Sequence, residues 1–160
     1  YRPLAPIESH IQARPPNTMS ASLSVPHTND PAAFGASTPF ILIARVQVKP
    51  GKVKEYLAIA DETDLSVQDS EPGMLHHTFD VSETDDHAYA WSEVYQNDAA
   101  LEAHLSNPVV GAYLQKHAAV CESFSVEVYG TLSDKTAEAA RALPFPVKIW
   151  KTALGYSRVK

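Results

Sequence analysis

The chain of 160 residues has a single cysteine, Cys121, so an internal disulfide framework and a thiolate zinc cluster are both excluded. The bland reading of Cys121 is a small buried residue at a helix end. Basic residues are also scarce: 13 lysines and arginines stand against 19 acidic residues, a net charge of −6. No stretch gathers them into a stripe able to neutralise phosphates, which argues against nucleic acid and anionic membrane as partners. Long apolar runs are missing too. "FILIA" at 40–44 falls far short of the roughly 20 residues that a membrane-spanning helix requires. No charged-then-apolar leader is visible, and the chain opens at Tyr1 rather than methionine. That opening is expected of a processed chain, organellar in one reading and cytoplasmic in the other.

What is present is enough for one core, since 44 % of the residues are hydrophobic. Residues 1–39 do not supply it. Seven of the 12 prolines lie between Pro3 and Pro39, mixed with small polar residues. Such a segment is expected to carry neither helix nor sheet ladder and reads as an arm, held by the domain, a twin subunit or a different protein.

From residue 40 the texture changes, and residues 40–130 read as the folded domain. "FILIARVQVKPGK" is rich in Ile and Val, alternates with period two in its second half, and ends at Pro50-Gly51, so it reads as a strand closed by a turn. In the next stretch Val53, Tyr56, Leu57, Ala60, Asp64 and Val67 fall at helical spacing, with Asp64 a blemish on the apolar stripe. Glu71-Pro72-Gly73 stops that helix. "MLHHTFDVS" and "HAYAWSEVY" form a hairpin, and a helix follows from Asp98, its plausible N-cap, restarting at Pro108. "FSVEVYG" is a fourth strand. Residues 131–160 hold a short helix capped by Ser133 or Asp134 and a tail with an edge strand at 147–151. The order β-α-β-β-α-β predicts an α+β, ferredoxin-like fold. It implies a four-stranded antiparallel sheet, helices on one face, and a second copy as the simplest cover for the other.

The blocks "EPG", "SEVY" and "AALEAHL", in that order, resemble the antibiotic biosynthesis monooxygenase family over about residues 40–130. The tail "ALGYSRV" is similar to its small quinol monooxygenase branch. The resemblance implies a homodimer with two sheets packed face to face, a dimeric α/β barrel, and a pocket between sheet and helices. It also implies oxidation of electron-rich phenols or quinols by dioxygen with no cofactor and no metal, although other members degrade haem or are not enzymes.

Successive strand residues point to opposite faces, so His76 goes with Met74, Thr78 and Asp80, and His77 with Leu75, Phe79 and Val81. The two histidines cannot chelate one ion, and no HxH or HxxxH spacing occurs. A set of His76, Asp80 and a neighbouring strand is the one metal alternative. His77 is either a structurally satisfied histidine or a pocket base. Tyr89, Trp91, Glu93 and Tyr95 share a face. They are either stacking walls around a carboxylate or a dimer interface, with the small Ala88, Ala90 and Ser92 leaving room for a pocket in the second case. His104 matches a recurrent family histidine.

The candidate catalytic residues are therefore His77, His104 and Glu93, and the candidate substrate-binding residues Trp91, Tyr95, Phe79 and Arg45. Arg45 is the arginine available on the first strand to steady an anion, whereas Tyr113, Tyr129 and Trp150 read as core or interface aromatics. The functional expectation is a cofactor-independent monooxygenase acting on a quinol-like or polyphenolic small molecule, in a pocket wide enough for a bicyclic ring. The alternative is a non-catalytic accessory subunit anchored in a larger assembly by its arm, and a weaker third reading is a haem or metal binder.

Overall fold

The structure is a computed structural model and describes residues 24–159. The expectation of an arm therefore lies outside the described residues for 1–23. The first strand, β1 (Val25–Thr28), pairs antiparallel with the last, β7 (Gly155–Ser157), as a separate two-stranded ribbon. This departs from the expectation that a proline-rich segment supports no ladder. Both strands of a two-stranded ribbon are edges, where the missing N–H of Pro26 is tolerated.

The main sheet is built on β2 (Phe40–Val48), whose Leu42, Ala44, Val46 and Val48 are buried while Ile41 and Arg45 are exposed. The helix α1 (Val53–Ser70) follows, then β3 (Met74–Val81) and β4 (Ala88–Tyr95). The helix restarts at Pro108 as expected: α2 (Asp98–Ser106) and α3 (Pro108–Val120) meet at Asn107, whose side chain accepts from Val109 N and caps α3. Asn97, not Asp98, caps α2, accepting from Ala100 N at 3.0 Å. Asp98 instead accepts from the backbone N–H of Ser133, which is the N-cap of α4 (Asp134–Arg141). β5 (Cys121–Tyr129) and β6 (Val147–Trp150) complete the sheet.

The strand order is β3-β4-β2-β5-β6. Its first four strands pair antiparallel in the ferredoxin-like arrangement, but the sheet has a fifth, and β6 runs parallel to β5. The expected four-stranded antiparallel sheet is thus a five-stranded mixed one. A helical connection makes this possible: α4 carries the chain back so that β6 enters in the direction of β5, with Val147 and Ile149 packed on the core. The sheet stays open and does not close into a barrel. Helices cover one face, where Tyr56, Trp91, Tyr95, Leu101 and Val128 are buried. The other face exposes Ile41, Tyr129 and Trp150.

Candidate active site

Register decides which face Glu93 occupies. On β4, Tyr89, Trp91, Glu93 and Tyr95 are all buried, and Trp91 donates its indole N–H to Tyr56 Oη on α1 at 2.7 Å. The aromatic row therefore lies under the helices and is no sheet-face interface. Ala88, Ala90 and Ser92 lie on the open face, so they make no room for a pocket. The cross-strand pairs His77–Glu93 and Phe79–Trp91 put His77 and Phe79 on the same covered face. Arg45 pairs with Ala90 and Ser125 on the open side, 3.4 Å from Glu127, and does not line the cavity. It steadies no anion there.

Beneath the helices is a cavity of about 70 Å³ to which His77, Phe79, Trp91, Glu93, Tyr95 and His104 all contribute. The rest of its wall is largely aliphatic and aromatic. An apolar cavity that takes up benzene measures about 150 Å³, so one ring enters only as the wall gives way, and the bicyclic ring expected from the sequence does not fit. Asp64, Val67 and His77 also line a groove of about 150 Å³ beyond, so the Asp64–His77 pair forms the partition between cavity and groove.

Three carboxylates address the two histidines. Glu93 is only 3 % exposed; its Oε2 accepts from Tyr95 Oη at 2.8 Å, and its Oε1 stands 3.6 Å from His77 Nε2. Tyr95 stacks on Phe40 at 5.4 Å, so this side chain serves more as the anchor of Glu93 than as the expected stacking wall. Asp64 Oδ1 lies 2.6 Å from His77 Nδ1 but out of line with the ring N–H direction. Both His77 nitrogens are buried and make no hydrogen bond.

His104 is paired more tightly. Its Nδ1 is 2.8 Å from Glu71 Oε2, while Glu71 Oε1 accepts from Asn107 Nδ2 at 2.7 Å. Burial opposes the charge on His104, but the Glu71 hydrogen bond and the nearby Glu93 and Glu71 carboxylates outweigh it and raise its pKa. Burial likewise works against the Glu71 carboxylate, yet the bonds from His104 and Asn107 win and lower its pKa. The partnership depends on the turn. Gly73 approaches α2 so closely that a Cβ there would sit 2.6 Å from Ala100 Cβ, and its carbonyl accepts from Gln96 N at 2.8 Å. "EPG" is thus more than a helix stop, because it carries Glu71 to the histidine of α2.

Glu71, Asp64 and Asn107 are the residues that sequence reasoning missed. Asp64 had a signal, a polar residue on an apolar helical stripe; Glu71 had only its place in the turn. Cys121 is buried 3.1 Å from His117 Nε2. Burial pushes the thiol up to about 11 and the imidazole down to about 4, so neither carries charge near neutral pH. No thiolate nucleophile arises. His76 and Asp80 do not converge on a metal, because Asp80 Oδ2 accepts from Thr78 and Ser92 hydroxyls. Among the described residues, the one trio of close metal-ligating side chains is Asp85, Asp86 and His87, exposed at the hairpin tip. Asp85 is engaged there by Gln47 and the His87 N–H. Among the described residues no helix is long and apolar enough to cross a membrane.

Residues 39–116 match the family described as antibiotic biosynthesis monooxygenase. A Synechocystis protein described as uncharacterized is 33 % identical over 82 residues, 51 % of this chain and 55 % of that protein. The chain thus spans about half the length of the curated relative it matches. A solved Caulobacter crescentus protein, provisionally assigned as an antibiotic biosynthesis monooxygenase, superposes with a TM-score of 0.56 at 20 % identity, over 61 % of this chain and 92 % of that one. A Pseudomonas aeruginosa structure gives 0.54 at 22 %, over 61 % and 98 %. At these identities the likeness is one of fold.

Proposed function

We propose, from the premise that residues 39–116 carry an antibiotic biosynthesis monooxygenase domain, that this chain is a cofactor-independent monooxygenase acting on a single-ring, quinol-like phenol. One observation carries the reading. Two half-buried histidines and a buried carboxylate meet in a largely apolar cavity, where a structural core would hold hydrocarbon.

The roles follow from the surroundings of each group. His77 lines the cavity between the Asp64 and Glu93 carboxylates with no hydrogen bond on either nitrogen, so its imidazole is placed to take a hydroxyl proton from the substrate. His104, tied to Glu71 and raised in pKa, supplies the positive charge that Arg45 does not, and it steadies the phenolate. Glu93, fixed by Tyr95, orients the hydroxyl and stands 3.6 Å from the His77 Nε2 that receives its proton. Phe79 and Trp91 are the flat walls. The electron-rich anion passes an electron to dioxygen, and the two radicals join at a ring carbon. The peroxide so formed takes back the proton held on His77, and the hydroperoxide then breaks its O–O bond as the ring C–H proton joins the departing hydroxide, leaving a ring carbonyl and water. For hydroquinone the balance is one quinol plus one dioxygen giving one hydroxyquinone plus one water, which needs no external reductant.

Oxygen uptake with hydroquinones in chelator-treated protein tests this. Wild type consumes oxygen above the uncatalysed rate, and His77→Ala, His104→Ala and Glu93→Gln each lower the rate by about 100-fold or more. Equal rates in wild type and variants contradict the proposal.

We also propose that the open sheet face, with Ile41, Tyr129 and Trp150 exposed, packs on a second copy. Tyr129 and Trp150 lie parallel there at 6.1 Å, a flat apolar shelf suited to a facing sheet.

A further inference from the structure

Tyr113 sits on α3, is 5 % exposed and lines the cavity from the helix layer, while His77 and Glu93 line it from the sheet. Its hydroxyl is buried and has no hydrogen-bond partner among the described residues. The polar atoms of its ring neighbours are turned to other partners. Trp91, at 5.6 Å between centroids, gives its N–H to Tyr56, and His117, at 5.5 Å, has Nε2 beside Cys121. An unmatched buried hydroxyl costs stability that a phenylalanine packed in the same place would not. Burial, with Tyr56, Cys121 and Glu93 nearby, raises the Tyr113 phenol far above its ordinary range, so it keeps its proton and can act as a donor at any working pH.

We infer that Tyr113 is a specificity-determining residue: its hydroxyl donates to a second oxygen on the aromatic ring whose first hydroxyl lies at His77, Glu93 and His104. This rests on the proposed function and narrows its substrate. The site selects rings bearing two oxygens, as in hydroquinone and its mono-ethers, over a plain phenol. The ligand's second oxygen satisfies a buried group that the protein itself leaves unmatched, and such a group discriminates more sharply than an added methylene in an apolar pocket.

The test is anaerobic calorimetry of phenol, hydroquinone and para-methoxyphenol binding to wild type and Tyr113→Phe, with thermal unfolding of both proteins. Wild type binds the two-oxygen rings about tenfold more tightly than phenol. Tyr113→Phe removes that preference, leaves phenol binding as it was, and keeps or raises the melting temperature. A variant that weakens all three ligands equally, or none, overturns the inference while the proposed function stands. Wild type that binds no ring overturns both.

Discussion

At Glu71 and His104 a hydrogen bond overrides the burial that would otherwise neutralise both groups. Replacing Glu71 by glutamine removes the carboxylate and leaves Glu93 alone to offset burial. The His104 imidazole, followed by proton NMR, then titrates lower than in wild type. The pair also fixes how stability depends on pH. His104, raised in the fold, contributes fully below its ordinary 6.5, and that contribution is lost as pH rises through the folded value. Glu71, lowered in the fold, contributes above 4.5 and is lost as pH falls through its folded value. His117, pushed by burial from 6.5 to about 4, contributes above 6.5, and its share erodes as pH falls toward about 4, by a total on the order of 3 kcal/mol. The combined contribution of these three groups is therefore largest near pH 6.5. Melting temperatures across that range check this: Glu71→Gln flattens the alkaline side, and His117→Leu flattens the decline between about 6.5 and about 4.

Elements bring these residues together, and two short connections matter most. The "EPG" turn presses on α2 at Gly73, so Gly73→Ala must push the turn or the helix outward. It costs about 1–3 kcal/mol and separates Glu71 from His104, seen as a fall in melting temperature with a lowered His104 titration. Asn107 caps α3 with one end and holds Glu71 with the other. Asn107→Ala accordingly loses about 1–2 kcal/mol, more than a surface cap alone provides. At this scale much was legible in the sequence. Period-two alternation in "ILIARVQV" and helical spacing from Val53 to Val67 gave β2 and α1, and Pro108 marked the restart of α3. What escaped is long-range. Alternation splits β4 into two faces without saying which one the helices cover, and nothing in "VKIW" distinguishes a parallel from an antiparallel edge.

For the whole molecule, the proposed dimer carries its own expectation. Wild-type protein sediments as two chains, and Ile41→Asp, which sets a charge on the exposed apolar face, sediments as one with its secondary structure intact. Recovery from its source within a large assembly of different chains would instead favour the accessory reading. His77, Glu93, Trp91, Phe79 and His104 were legible as candidates because strand alternation and the family-like blocks single them out. Their convergence was not, and neither were the roles of Asp64 and Glu71. Those depend on α1 crossing β3 and on a turn touching α2, contacts between segments far apart in the chain. Arg45 failed for the same reason, since its face became known only with the sheet's covered side.

The proposed reaction inserts an atom of dioxygen into a quinol ring without a cofactor. The most direct measurement is the mass of the product formed from hydroquinone under isotopically heavy dioxygen, in chelator-treated protein. One heavy oxygen atom is expected in the product ring, and that label is lost with His77→Ala. Turnover that leaves the label only in peroxide or water, or no turnover by wild type, would contradict it.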